Sequence, residues 1–152
     1  MADKGANRRS YIKAISAIYR YSQTYIGENI KKYHLGKGQW SFLTQLLFNA
    51  DGLTQEGLSE ELHIDKANTA RAVKKLEDEG YVYWEADPAD ARKKRIYVTD
   101  KSLGFEEEFH QVFKDLNKIL SNGFTKEEKE MTKNLLFRML DNIVEYRNRQ
   151  DK

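Results

Sequence analysis

The chain of 152 residues has no cysteine, which excludes disulfides, thiolate zinc sites, thiol nucleophiles and cysteine-based redox sensing. It has a single proline, and most of its nine glycines fall between periodic segments. No stretch approaches the roughly 20 apolar residues of a membrane span. The opening Met1-Ala2-Asp3-Lys4 leads into no secretory apolar run. A soluble, cytoplasmic chain with no membrane partner is expected. No G-x-S-x-G, Walker loop or dinucleotide-binding glycine turn occurs. Carboxylates lie on charged helix faces, so no catalytic pair stands out and no enzyme is expected. His34, His63 and His110 match no ligand spacing. A structural or surface role is expected for them, with no metal and no cofactor.

Charge of one sign is also lacking: 26 Lys and Arg stand against 24 Asp and Glu, for a net +2. The distribution is uneven. Residues 1–37 hold eight basic residues against two acids, residues 38–100 eight against twelve, and residues 101–152 ten of each. An acidic middle segment repels phosphate unless its basic residues share one face.

Hydrophobic residues make up 39% and charged residues 33%, a globular composition whose length makes one domain, 1–152, the default. Apolar residues at helical spacing predict a helix from Ser10 to Tyr33, broken by Gly36 and Gly38. A second helix, Gln39 to Asn49, is apolar on several sides and should be central. Thr54 is a good N-cap for a short helix with Leu58 and Leu62, and Asp65 for the next, which stops at Gly80. Tyr81–Glu85 and Ile96–Thr99 read as paired strands around the turn residues Asp87-Pro88-Ala89-Asp90. Thr99 or Asp100 caps a helix running to Leu120, and Thr125-Lys126-Glu127-Glu128 is a capping box opening the last helix. The fold class is mostly α (α+β), with one β-hairpin.

On a helical wheel of the segment after Asp65, Thr69, Ala72, Val73 and Leu76 face inward. Ala67, Arg71 and Lys74 lie opposite, with Asn68 and Lys75 on a flank. Asn suits bidentate contact with adenine and Arg with guanine. Alone, such a face reads more readily as solvated surface. The hairpin shifts the balance, because Arg92-Lys93-Lys94-Arg95 sets four consecutive cations on an exposed loop. Narrow minor grooves attract inserted Arg, and Asp90 two residues earlier is placed to orient the Arg92 guanidinium.

At these residues the sequence resembles the multiple antibiotic resistance regulator (MarR) family of winged helix-turn-helix repressors. The resemblance is carried by Gly38-Gln39-Trp40-Ser41-Phe42-Leu43, by Leu53-Thr54-Gln55-Glu56-Gly57-Leu58-Ser59-Glu60-Glu61-Leu62, by Asp65-Lys66 through Arg71 to Gly80-Tyr81, and by Asp87 to Arg92, similar to the family's D-x-R wing signature. It implies a DNA-binding lobe at 38–99 flanked by dimerisation helices at 10–34 and 100–150. It also implies a homodimeric, sequence-specific regulator of transcription on a pseudo-palindromic double-stranded DNA site, with half-sites roughly 34 Å apart. Asn68 and Arg71 would read the major groove, supported by Lys66, Lys74 and Lys75. Arg92 would enter the minor groove, oriented by Asp90 and accompanied by Lys93, Lys94 and Arg95. Thr54 and Gln55 would contact phosphate. Three positions depart from the family pattern. Thr69-Ala70 exchanges the usual apolar and hydroxyl residues, Ser102 replaces the usual Gly, and Gly36-Lys37-Gly38 replaces a Leu-Thr lead-in.

Ile12, Ile15, Tyr19 and Ile26, with Leu135, Met139, Ile143 and Tyr146, lie on terminal helices that a small monomer hardly buries. A dimer interface is the favoured reading, with intramolecular packing of long helices as the alternative. The resemblance further implies repression released by a small aromatic or phenolic effector, held in a cavity bordered by Tyr33, Trp40 and Phe109. The competing reading for the whole chain is a winged-helix protein-interaction module whose basic wing meets an acidic partner.

Overall fold

Helix starts follow side-chain caps in the computed structural model, which describes residues 8–36, 38–49 and 51–152. Lys4, and Lys37 of the Gly-Lys-Gly lead-in, lie outside the described residues. Ser10 Oγ accepts the Lys13 amide at the head of α1 (Tyr11–Asn29). After α2 (Trp40–Phe48), Thr54 Oγ1 accepts the Gly57 amide at 3.0 Å to open α3 (Gln55–Leu62). Asp65 caps α4 (Lys66–Asp78). Strands β1 (Val82–Ala86) and β2 (Lys94–Val98) pair antiparallel, Val82 opposite Val98 and Ala86 opposite Lys94. Thr99 caps α5 (Asp100–Leu103), α6 (Glu106–Leu120) follows, and Thr125 with Glu128 closes a reciprocal capping box on α7 (Lys126–Gln150). Each cap satisfies a backbone donor the helix leaves orphaned, worth about 1 kcal/mol. The chain divides into two compact units, one ending at Leu116 and the other covering Asn117–Lys152.

Three boundaries differ from the sequence expectation. The first helix does not continue to Tyr33. It ends at Asn29, Ile30 leaves helical geometry (φ −112°, ψ 11°), and Lys31–Tyr33 winds into a tighter 3-10 turn. Ile30 is buried there, and the Tyr81 hydroxyl donates to the Tyr33 carbonyl, a tie across the core that helical periodicity does not reveal. The helix expected from 100 to 120 is interrupted at Gly104, a poor helix former. On either side the chain turns inward: Ser102 is fully buried with Oγ donating to the Tyr81 carbonyl at 2.6 Å, and Phe105 is buried. Ser102, where the family usually has Gly, thus pins the base of the hairpin. Finally, β2 starts at Lys94, so Lys94 and Arg95 belong to a strand and not to an exposed loop.

In the first unit, Phe42, Leu43 and Leu46 of α2 join Leu58, Val73, Leu76, Val82, Ile96 and Phe109 in one core. Each fully buried Leu in such a core contributes roughly 1.5–3 kcal/mol. The inward face of α4 is Thr69, Ala72, Val73 and Leu76, as its periodicity predicts. Thr69 is completely buried, which accounts for one departure from the family pattern. Its hydroxyl donates to the Asp65 carbonyl at 2.9 Å and accepts the buried Ser59 hydroxyl at 2.8 Å. The histidines serve backbone and packing. His34 and His63 end the 3-10 turn and α3 in left-handed conformation (φ 56° and 55°), and His110 stacks on Phe48 with ring centroids 3.8 Å apart. Among the described residues no group of three His, Asp or Glu is placed to hold a metal ion.

The hairpin is tied to the segment between α2 and α3. Gly52 donates to the Ile96 carbonyl at 2.9 Å, Ile96 donates to the Leu53 carbonyl at 2.8 Å, and Val98 donates to Asp51 Oδ1 at 3.1 Å. Gly52 sits at φ +78°, with the Tyr97 ring where a side chain would stand, so only glycine fits. Arg95 completes the tie by donating from Nε to Asp87 Oδ2 at 2.7 Å and from Nη1 to the Gly52 carbonyl at 2.9 Å. The Ala89 amide, and then Arg95, hold the Asp87 carboxyl below the usual carboxylate range.

Two outcomes follow from this packing. Thr69→Val, which leaves the buried Ser59 hydroxyl without its acceptor, should lower the unfolding free energy by about 1–2 kcal/mol. Adding Ser59→Ala should recover most of that loss, because two apolar groups then replace the pair. Denaturant titration of the two variants checks both. Because the Asp87 pKa is depressed on folding, its stabilisation is full above the unfolded value of about 3.9 and is lost as pH falls through the depressed one. Asp87→Asn should therefore melt below the wild type at pH 7, with the gap closing in acid. A gap independent of pH contradicts the assignment.

Candidate nucleic-acid interface

Beyond its buried face, α4 presents a polar strip. Lys66, Asn68, Arg71, Lys74 and Lys75 are all exposed. Several are already engaged. Lys66 faces Glu56 at 3.6 Å, and Lys74 donates to Asp78 at 2.7 Å with Glu77 at 3.9 Å. The Asp78 hydrogen bond raises the Lys74 pKa. The acids that end α4 therefore neutralise part of the strip. Exposed pairs of this kind are worth no more than about 1 kcal/mol and yield readily to a stronger partner. Asp65, Asn68 and Arg71 are linked in series: Asn68 bonds to both carboxylate oxygens of Asp65, and Arg71 donates to Asn68 Oδ1. Thr54 and Gln55 are half-buried at the head of α3, where the Thr54 hydroxyl is spent on its cap.

The hairpin tip lies between Ala86 and Lys94. The Asp87 amide donates to the Lys93 carbonyl at 2.8 Å, the Lys93 amide donates to the Asp90 carbonyl at 3.0 Å, and the Ala89 amide donates to Asp87 Oδ1 at 2.8 Å. On this braced turn the Arg92 side chain is 92% exposed. Asp90 Oδ1 accepts both the Arg92 amide and its Nε at 3.1 Å, with Nη2 at 3.4 Å from Oδ2. Lys93 and Lys94 are exposed beside it. Arg95 differs from these three. Its guanidinium points into the lobe onto Asp87 and Gly52, so it braces the wing where the sequence suggested a free cation.

The aromatic residues assigned to an effector cavity, Tyr33, Trp40 and Phe109, pack against other rings. Phe109 is completely buried, and Tyr33 packs on Phe105 and Phe109 at 4.5 and 5.1 Å. Burial and then Glu108, which accepts the Tyr33 hydroxyl and pairs with Lys32, push the Tyr33 phenol up. Trp40 packs against Phe113. None of the three lines the cleft of about 720 Å³ that opens between α1, the start of α2 and α4. That cleft is bordered by Tyr19, Gln23, Gln39, Asn68, Arg71 and Lys75. Gln39 is 4% exposed; its Oε1 accepts the Gly36 amide, and its Nε2 has no hydrogen-bond partner among the described residues. Helical periodicity concealed this cleft, because its walls come from three separate elements.

Of the residues assigned to an interface between copies, Ile12, Ile15 and Tyr19 are exposed on α1, and Leu135, Ile143 and Tyr146 on α7, with Met139 half-buried; Ile26 instead packs into the core of its own chain. No residue of α7 is buried. Leu136, Phe137 and Leu140 extend its exposed apolar surface.

Known proteins share this arrangement. Residues 35–93 match the model of the MarR family. An uncharacterised HTH-type transcriptional regulator of Bacillus subtilis, YybA, is 30% identical over 87% of both chains. A MarR transcriptional regulator from Methanosarcina mazei is 40% identical, with a TM-score of 0.79 over 88% of this chain and 96% of that one. A MarR family regulator from Listeria monocytogenes, solved in complex with a 26mer DNA, is 26% identical with a TM-score of 0.84 over 90% and 91%. These relatives are regulators, which weighs against the protein-interaction reading of the basic wing. The chain is a member of the MarR family of winged helix-turn-helix transcriptional regulators, and a regulator rather than an enzyme.

Proposed function

We propose that this chain is a homodimeric, sequence-specific double-stranded DNA-binding repressor, released from its operator by a small aromatic effector. The observation that carries the reading is Arg92, an almost fully exposed guanidinium held by Asp90 on a braced hairpin tip. An exposed arginine held in one orientation loses little freedom on entering a minor groove, where narrow A·T-rich sequence concentrates negative potential. The polar strip of α4 supplies donors and acceptors suited to base edges in the major groove. The Listeria relative bound to DNA supports the same use of the fold. Near-neutral net charge suits a protein that relies on the geometry of a few cations more than on bulk attraction.

The dimer part of the reading rests on apolar surface. Tyr11, Ile12, Ile15 and Ile18 on α1 and Leu135, Leu136, Phe137 and Ile143 on α7 are exposed, more large apolar side chains than a monomer leaves in water. Segments 10–34 and 100–150 would form the joint between copies, leaving lobe 38–99 on each side of a two-fold axis. The effector part rests on the cleft beside α4. The cations Arg71 and Lys75 border it, and Tyr19 and Phe42 add aromatic wall, a lining that fits an aromatic carboxylate. An occupant there would engage the same helix that reads the duplex, coupling the two equilibria.

Arg92→Ala should weaken binding to a selected duplex by about tenfold or more, the loss expected for a charge-assisted contact. Its sedimentation should remain that of a dimer, and the wild-type affinity should fall steeply with salt. Unchanged duplex affinity, or a monomeric wild type, contradicts the reading. Benzoate, the simplest aromatic carboxylate, should raise the wild-type Tm and raise that of Lys75→Ala by less. Equal shifts in the two proteins place the carboxylate elsewhere.

A further inference from the structure

The side chains that begin α4 form a relay of hydrogen bonds. Asp65 accepts the Asn68 backbone amide on Oδ1 at 2.8 Å and the Asn68 side-chain Nδ2 on Oδ2. Asn68 Oδ1 accepts Nη2 of Arg71. Residues 65, 68 and 71 are successive i, i+3 neighbours, and all three are exposed. The ends of the relay dictate which way the amide points. An ionised carboxylate only accepts and a guanidinium only donates. The amide nitrogen must therefore face Asp65 and its oxygen Arg71. Turning the amide over would set acceptor against acceptor at one end and donor against donor at the other.

We propose that Asn68 is a positioning residue that holds the Arg71 guanidinium in one orientation for reading a base, with Asp65 as its anchor, and that it does not itself read an adenine. This inference rests on the DNA-binding reading above. Recognition of adenine by an amide uses its donor and its acceptor together on one base edge. In Asn68 one N–H and one lone pair of Oδ1 are already engaged within the protein, by Asp65 and Arg71. Arg71 gives up one N–H of its fork and keeps enough to meet O6 and N7 of guanine. A free arginine loses much rotamer freedom when it docks, whereas a held one has already lost it, so selectivity rises without a new contact. The anchor is charged at neutral pH, since the Asn68 backbone amide and then its side chain hold the Asp65 carboxyl below its usual range.

The test selects duplexes from a randomised pool with the wild type, Arg71→Ala, Asn68→Ala, Asp65→Ser and the Asn68→Ala/Arg71→Ala double variant. Serine remains a strong N-cap but offers no second oxygen to the amide. Asn68→Ala substitutes the best helix former at an exposed position, so it keeps the test readable if the Asp65 variant folds poorly. Arg71→Ala should abolish preference at one base pair. Asn68→Ala and Asp65→Ser should weaken preference at that same base pair by roughly three- to tenfold, part of what a bidentate arginine supplies. The double variant should be no less selective than Arg71→Ala alone. Loss at a different base pair in Asn68→Ala, additive with Arg71→Ala, overturns the proposal, and so does unchanged preference in Asn68→Ala. A wild type that selects no sequence at all refutes the DNA-binding reading and this inference with it.

Discussion

A two-stranded hairpin in water is marginal at best, yet the wing of this protein must hold a cation at its tip. The tie between Ile96 and residues 51–53 resolves the difficulty. Paired backbone bonds to Gly52 and Leu53 give β2 a second neighbour, and completely buried Ile96 sets that neighbour against the core. Arg95 spans Asp87 and the Gly52 carbonyl, so the tip, the strand and the loop before α3 move as one piece. Without this tie the Asp90–Arg92 pair would sit on a frayed ribbon, and its orientation would mean little.

The same economy governs α4. Its inward face is small, with Thr69, Ala72, Val73 and Leu76, which lets the helix lie close to its neighbours. A buried hydroxyl at Thr69 would be costly alone, but Ser59 on α3 and the Asp65 carbonyl satisfy it. That pairing locks the two helices of the motif in register. The exposed face is left free to carry the Asp65–Asn68–Arg71 relay and the cations beside the cleft. Core and polar surface are thus divided around one helix, and Asp65 serves both, its carbonyl bonding inward to Thr69 and its carboxylate outward to Asn68.

Much of this was legible in the chain, and the reasons are local. Caps announce themselves: Thr54, Asp65, Thr99 and Thr125 bind a donor within three residues, so short-range spacing suffices. The buried face of α4 follows from a period of 3.6. The hairpin follows from its turn residues and β-branched strands, although Lys94 and Arg95 read as loop because a run of four cations hides a strand. The candidate site was legible where a residue points outward on a regular helix, as Asn68 and Arg71 do, or on a contiguous turn, as Arg92 does. It was illegible where the meaning of a side chain depends on a distant partner.

The sequence by itself determined the mixed class, the order of the helices, the hairpin and the family, since each depends on periodicity, capping or a contiguous motif. Tertiary structure alone decided the rest, because each remaining feature joins residues far apart in the chain. Arg95 became a brace only when Gly52 was folded beneath it, and Thr69 a satisfied core residue only opposite Ser59. The breaks at Ile30 and Gly104 set Tyr33 and Ser102 against Tyr81 and bury Ile30 and Phe105, partners that helical periodicity does not reveal. The cleft beside α4 exists because α1, α2 and α4 converge there, and Gln39, its most buried polar group, carries no sign of that in its neighbours along the chain. Absence of cysteine excluded thiol chemistry at once, whereas the amides and cations around the cleft come from separate segments that only the fold brings together.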